Sequence, residues 1–200
     1  MNRIAKWVYL DSCRLVVDGK EIETTESGKE LLTQLYRKYV NDYPKFFKMD
    51  PLCRLGLVAS ELLMKGAIEN ENGDEYSIIL FNKSGSLAND KLYQGTIDGS
   101  NYYPSPAVFV YTLPNIVTGE IAIRNRIHGE SSFYVLDDVN ATMIRSIVGS
   151  SFETSTKGIV CGWLECSSEN EFKAALFIVD KTSATDFTEE EINRIINYKQ

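Results

Sequence analysis

The stretch PNIVTGEIAIRNRIHGESSFYVLDDVNATMIRSIVG, residues 114–149, decides the fold. Its proline suits the first turn of a helix, and isoleucines then recur at helical spacing at positions 116, 123 and 127. Gly129 can end this helix in a left-handed conformation. The apolar run 133–136 predicts a short buried strand, and Asp137 or Asp138 can cap a second helix over 139–148. The stretch therefore predicts a helix, a strand and a second helix.

The rest of the chain supplies further strands and helices. Asp18-Gly19 between apolar flanks predicts a hairpin across 15–22. A helix is expected from Ser27 to residue 40, another from Asp50-Pro51 to about Gly66, and a short terminal one starting at Thr188. The polar segment 82–101 is expected to be a long surface loop. Apolar runs typical of the main strands lie at 4–10, 76–82, 132–137, 158–166 and 173–180.

This alternation of apolar runs with helical stripes predicts one α/β domain over residues 1–200. We expect a five-stranded mixed sheet, mostly parallel, with helices on both faces. The polar SSENE between the last two strands is typical of a hairpin loop, so that pair is expected to be antiparallel.

Composition restricts the class of partner. The formal net charge of −7 argues against nucleic acid, because such binding depends on neutralising phosphates with Lys and Arg. An acidic carrier protein stays possible, since a local basic patch could dock one. No apolar run approaches the roughly 18 residues of a membrane span, and the N-terminus lacks the pattern of a signal peptide. A cytoplasmic location is therefore expected.

The cysteines do not suggest a metal site. Cys13, Cys53, Cys161 and Cys166 are scattered beside apolar segments, which favours buried, reduced thiols. One histidine in the chain leaves too few ligands for zinc. A phosphate-binding loop at Gly85 is disfavoured, because the second glycine and the Lys-Ser/Thr pair are missing. No metal and no cofactor is predicted.

A resemblance to a known family rests on three short motifs. These are Leu113-Pro114-Asn115, the Ile121-Ala122-Ile123 run after Gly119, and Gly129-Glu130-Ser131-Ser132. Together, over roughly residues 45–180, they resemble the β-ketoacyl synthase branch of the thiolase superfamily, which has Gly-Pro-Ser-Ser before its catalytic strand. The resemblance implies a thiolase-like half-fold, since a complete synthase contains two such halves.

The resemblance also implies what is missing. Asp138 stands where the family carries its nucleophilic Cys, and no Cys lies between Cys53 and Cys161. Asp137 and the single histidine, His128, are the other nearby ionisable candidates. Either aspartate can simply cap the helix, or the two can form a carboxylate pair with one raised pKa. His128 is expected at a helix end, where a protonated imidazole is favoured by the dipole.

Two functions follow from the resemblance. The first is a non-catalytic homologue, similar to a chain-length factor, acting in fatty-acid or polyketide/polyene-type biosynthesis. It would form a homodimer, or a heterodimer with a full-length ketoacyl synthase, through the 132–137 strand, with an acyl carrier protein as a possible further partner. The second is an active acyltransferase related to 3-oxoacyl-[acyl-carrier-protein] synthase that uses Asp138, Ser131 or Ser132 instead of Cys.

Overall fold

The computed structural model describes residues 2–68, 73–97, 99 and 103–198. The strands are β1 (Arg3–Asp11), β2 (Leu15–Val17), β3 (Lys20–Ile22), β4 (Tyr76–Asn82), β5 (Ser131–Val135), β6 (Gly158–Ser168), β7 (Glu171–Asp180) and β8 (Thr185–Asp186). The α-helices are α1 (Gly28–Tyr39), α2 (Pro51–Met64), α3 (Leu87–Gln94), α4 (Pro106–Val110), α5 (Ile116–Asn125), α6 (Ala141–Ser150) and α7 (Glu189–Ile196). Short 3-10 helices span Pro44–Lys48 and Gly73–Glu75.

One mixed sheet joins all the described strands in the order β3-β2-β1-β7-β6-β4-β5, with β8 paired to β1. The five predicted strands are all present, as β1, β4, β5, β6 and β7. The prediction of a mostly parallel, five-stranded sheet is corrected. The sheet has eight strands, and among the described residues only β4 with β5 and β4 with β6 are parallel. The apolar runs predicted the strands correctly, but they carry no information on which strand β1 joins, and β1 pairs antiparallel to β7.

Helices cover both faces of the sheet, as predicted. On one face, α1, α2 and α5 pack on a core that includes Leu55, Ile78, Val160 and Leu176. On the other, α6 and α7 pack on Phe81, Cys161, Phe177 and their neighbours. Phe81 and Phe177 are fully buried. The sheet is therefore the middle layer of three.

The hairpin and two of the predicted helix starts are confirmed. Asp18 and Gly19 both have positive φ, 49° and 80°, as the tight turn between β2 and β3 requires. Asp50 caps α2 by accepting hydrogen bonds from the amides of Leu52 and Cys53. Thr188 caps α7, because its hydroxyl accepts from the amide of Glu191 at 3.2 Å.

The end of α5 differs from the prediction. The helix stops at Asn125, and Arg126 rather than Gly129 takes the left-handed conformation, with φ 53° and ψ 40°. Gly129 is required for another reason: a Cβ there would lie 2.2 Å from the carbonyl oxygen of Tyr76. The glycine allows the chain to pass close to the start of β4 before it enters β5.

The start of α6 also differs. Asn140 is the N-cap, and its Oδ1 accepts the Met143 amide at 2.9 Å. Neither Asp137 nor Asp138 caps the helix. The apolar side of α6 is covered in part by α7, and Thr142 on α6 donates a hydrogen bond to Glu189 at 2.7 Å.

The polar segment 82–101 is not simply a loop. Residues 87–94 form α3, and α4 follows at Pro106–Val110. Part of the predicted loop, residues 98, 100 and 101, lies outside the described residues. The sequence did not predict α3, because its leucines face outward. The segment therefore lacks the apolar stripe by which a helix that packs on the core is recognised.

Alanine substitutions at two helical glycines are expected to change the free energy of unfolding in opposite directions. Nothing lies within 4 Å of a Cβ built at Gly119 on α5, whereas one built at Gly56 on α2 lies 2.3 Å from Val117 Cγ2. We expect Gly119→Ala to raise the free energy of unfolding by about 0.5–1 kcal/mol, because alanine costs less backbone entropy in a helix. Gly56→Ala should lower it by about 1–3 kcal/mol through overpacking. Urea denaturation of both variants checks this, and equal signs would contradict it.

Candidate functional site

The candidate site lies where the three parallel strands end. The carboxyl ends of β4, β5 and β6 are adjacent, since Asn82 pairs with Val135 and Phe81 with Trp163. Open α/β sheets bind ligands at this edge. Asp137 and Asp138 follow β5 directly, so the structure places them at this edge.

The turn after β4 is built by the buried side chain of Asn82. Its Nδ2 donates to the Gly85 carbonyl at 2.8 Å, and its Oδ1 accepts the Gly85 amide at 3.0 Å. The Asn82 carbonyl also accepts the Leu136 amide at 2.8 Å, which joins this turn to the end of β5. Gly85, with φ 57°, is therefore part of a structural turn.

A group of charged residues at this edge was not predicted from the sequence. Glu165 on β6 accepts the Lys83 amide at 2.8 Å and the Ser84 hydroxyl. Lys173 on β7 lies opposite both Glu165 and Asp11 in the sheet register. Burial lowers the pKa of Lys173, and the carboxylates of Glu165, Asp138 and Asp11 oppose that shift. Three acidic groups and one lysine thus lie in the same region. The hydrophobic pattern of each strand taken alone does not reveal this grouping.

Asp137 and Asp138 are both exposed. The Asp138 Oδ1 accepts the adjacent Val139 amide at 2.8 Å. Between the two carboxyl groups the described structure records no hydrogen bond, so it gives no support to a shared-proton pair. An exposed carboxylate of this kind is a weak nucleophile.

His128 is not brought to this site. It lies before β5, and its Nδ1 is 3.0 Å from Asp74 Oδ1, with both side chains exposed. The five residues of β5 separate it from Asp138 by about 17 Å, at about 3.3 Å a residue. Ser131 and Ser132 lie at this same amino end of β5, and Ser132 donates to Glu130 at 3.0 Å. No serine is hydrogen-bonded to His128 among the described residues, so the single histidine has no triad.

Three of the four thiols are buried, as expected, and the fourth is not. Burial raises the pKa of the Cys53 and Cys161 thiols, and it raises that of Cys166 to about 12. Cys13 is exposed, in the turn between β1 and β2. None stands at the start of α6, where a helix N-terminus would stabilise a thiolate.

Within residues 2–68, 73–97, 99 and 103–198, no three His, Cys, Asp or Glu side chains are grouped so that they could hold a metal ion. In the same ranges, no helix has both the length and the apolarity needed to cross a bilayer.

Beside the candidate site, β5 is the last strand of the sheet, and no strand among the described residues pairs with its outer edge. Val135, at its end, is 54% exposed. The adjoining α3 and α4 have polar contacts inside: Asn89, 4% exposed, donates to the Val108 carbonyl at 2.9 Å, and Ser86 donates to that of Thr112. Their outer side chains are apolar and about half exposed, namely Leu87, Leu92, Phe109, Val110 and, just beyond α4, Leu113. We call Val135 and these five residues the apolar surface.

Comparison with known proteins supports the fold alone. No family model and no curated protein matches the sequence. Among solved structures, a ketosynthase (ApeO) in complex with its chain length factor (ApeC) from Xenorhabdus doucetiae superposes with a TM-score of 0.63 and 9% identity, over 98% of this chain and 90% of that one. The ishigamide ketosynthase/chain length factor gives 0.57 and 10% identity, over 90% of this chain. A type II PKS acyl-carrier protein in complex with its ketosynthase bound to the hexaketide (AntDE:AntF) gives 0.56 and 8%, also over 90%.

The chain spans 58% and 57% of the second and third of these neighbours, and 90% of the first. At these identities the neighbours define architecture, not activity. The α/β fold predicted from the sequence is confirmed, and the chain shares its fold with the solved structures of ketosynthase and chain length factor complexes.

Proposed function

We propose that this chain is a non-catalytic subunit, similar to a chain length factor, that pairs with a full-length ketosynthase in polyketide, polyene or fatty-acid assembly. The single observation that carries the proposal is the open edge of β5 with the apolar surface beside it. The fold shared with ketosynthase and chain length factor structures supports the choice of partner.

The open edge favours pairing because unpaired strand N–H and C=O groups offer a template for another strand. Natural edge strands are usually protected by lysine, proline or a covering element. Instead, β5 ends in an exposed valine and contains Phe133 and Tyr134, residue types that suit pairing. A partner strand would satisfy this row of groups.

The apolar surface supports the same partner. The polar side chains of Ser86 and Asn89 are buried, while leucine, phenylalanine and valine face outward. This arrangement is unfavourable in water and becomes favourable when the surface is covered. Val135 lies against Gly85, in the turn just before α3, so the surface continues the β5 edge. One partner can therefore cover both.

The chemistry of the site supports a non-catalytic role. The thiol that the family needs is replaced by the exposed carboxylate of Asp138, and the other thiols are either buried or distant in the fold. The Asp138 carboxylate is exposed and only opposes the lowering of the Lys173 pKa, and such a carboxylate is a weak nucleophile. The alternative is an acyltransferase that uses Asp138, Ser131 or Ser132. Among the described residues none of the three is hydrogen-bonded to His128, and the Ser132 hydroxyl donates to the Glu130 carboxylate instead.

The test is a titration against a purified full-length ketosynthase from the same genome, with acylated and malonylated carrier proteins as substrates. We expect a 1:1 complex and ketoacyl product only when both chains are present. Product made by this chain alone would overturn the proposal in favour of the enzyme alternative. A complex with itself but none with any ketosynthase would replace the heterodimer with a homodimer.

Asp138→Cys should not create a synthase. The new thiol, near the start of α6, should be alkylated by iodoacetamide, helped by the positive end of the helix. Condensation also needs groups that promote decarboxylation and hold the oxyanion, and loss of one oxyanion donor alone costs about 100- to 1000-fold. No ketoacyl product should therefore form without a partner. Asp137→Cys is the matched control, and turnover by either variant alone would contradict the proposal.

A further inference from the structure

A groove of about 470 Å³ lies at the opposite end of the parallel strands from Asp138, at the amino ends of β4 and β6. It is formed by the start of β1, the turn after α2, the start of β4, the start of β6 and the turn after β7. Because five separate segments form it, the groove is not merely a depression within one surface loop. Its volume falls in the range of small-molecule sites, about 300–1,000 Å³.

The floor of the groove is apolar. It includes the ring of Tyr76, the buried side chain of Ile178 and the methyl group of Ala5. Ala5 sits at an irregularity in β1, where the register with β7 shifts between Ile4 and Lys6, and such bulges redirect side chains next to sites. Gly158 leaves room for the ring, because a Cβ there would lie 2.9 Å from Tyr76 Cε1.

One ammonium group at the rim of the groove is available to a ligand. Lys157 is paired with Glu75 at 2.7 Å, but Lys181 has no ion pair among the described residues. Its ammonium lies 5.1 Å from the Phe152 ring centroid, which holds it at the rim. Asp180, the one carboxylate among the lining residues, is occupied: it accepts hydrogen bonds from the amides and hydroxyls of Thr182 and Ser183.

Two hydroxyl groups complete the rim. Thr154 and Thr156 line the groove, and within the described structure their hydroxyls make no hydrogen bond. We propose that this groove binds a small organic anion, a carboxylate or phosphate ester carried on an aromatic or short aliphatic body. The anion would contact Lys181 and the threonine hydroxyls, and the body would lie on Tyr76 and Ile178. This site is independent of the pairing surface proposed above.

The test uses two fluorescent probes that differ by one group. These are 8-anilinonaphthalene-1-sulfonate, whose sulfonate stands in for the ligand's anionic group, and N-phenyl-1-naphthylamine, which has the same rings without it. We expect Lys181→Gln to weaken binding of the sulfonate about fivefold and to leave binding of the neutral probe unchanged. Ala5→Phe, which fills the groove, should weaken both at least about tenfold.

Lys91→Gln is the matched control, because Lys91 is exposed on α3 beside the apolar surface, the other place where such probes could bind. It should change neither affinity. In the wild-type protein, the amide NMR signals of Gly158 and Thr182 should shift and saturate with the same Kd as the fluorescence, which tests the site even if a variant fails to fold. Binding unaffected by Lys181→Gln and Ala5→Phe, weakening by Lys91→Gln, or no shift at Gly158 would each overturn the proposal.

Discussion

Gly162→Ala is expected to destabilise this protein more than any other glycine-to-alanine change in the sheet. Gly162 lies in the middle of β6, between β7 and β4, with a φ of 143° that L side chains rarely adopt. A Cβ there would lie 2.1 Å from the Ala175 carbonyl oxygen on β7. Backbone strain of about 1–3 kcal/mol and overpacking of similar size should together remove about 3–5 kcal/mol. That is a large share of the roughly 5–15 kcal/mol that stabilises an ordinary domain.

Gly66→Ala is the matched control. Gly66 also has a positive φ, 72°, but nothing lies within 4 Å of its added Cβ. It should therefore lose only the cost of a left-handed residue, about 1–2 kcal/mol. Thermal and urea unfolding of both variants measures the difference. Equal losses would show that the contact with Ala175 is relieved by a shift of the strands, contrary to this expectation.

Val135→Pro is expected to abolish pairing with the partner while preserving the fold. The Leu136 amide donates inward to Asn82 of β4. Neighbouring amides along a strand point in opposite directions, so that of Val135 points to the open edge. Proline is tolerated on that side of an edge strand. It removes one donor from the interface and places its ring against the incoming strand, which should weaken the complex roughly 100-fold.

Val135→Thr keeps the amide and the β-branched shape, and it should bind within about threefold of the wild type. Calorimetry with the purified ketosynthase measures both affinities, and circular dichroism checks that the fold is unchanged. An undiminished affinity for the proline variant would exclude strand pairing at β5. The apolar surface would then have to carry the interface alone, which Phe109→Ser would test.

The sequence predicted the elements that depend on local chemistry. Asp18-Gly19 predicts a hairpin because few residue types adopt the positive φ that a tight turn requires. Asp50-Pro51 predicts a helix start because an aspartate that can cap the helix precedes a proline whose φ already suits the first turn. The end of α5 and the start of α6 were predicted wrongly. In both places several residues are locally suitable, and packing decides among them. Gly129 is needed where the chain passes close to Tyr76, and the N-cap of α6 is Asn140, three residues after Asp137.

The candidate site was predicted only in part. Asp137 and Asp138 lie at the edge where open α/β sheets usually bind ligands, but Glu165 and Lys173 reach that edge from strands far along the chain. Their meeting depends on the β6–β7 register, where Glu165 lies opposite Lys173. The resemblance to the family singled out Asp138 but not this pair, because Glu165 and Lys173 lie outside the three motifs on which it rests. His128 shows the converse, since its closeness in sequence to Asp138 did not bring it to the same end of β5.

The pairing of β1 with β7 has a consequence for how the chain folds. Ile4 lies opposite Val179, so the central strands of the sheet come from positions about as far apart as the chain allows. Contacts so distant in sequence slow folding, because loop-closure entropy is lost before packing compensates. During synthesis on the ribosome, β4 emerges before either of its neighbours, β5 and β6. Its apolar residues therefore stay unpaired and unburied until those strands have been made. The pair of β1 and β7, and with it the middle of the sheet, can therefore form only after residue 179 has been synthesised.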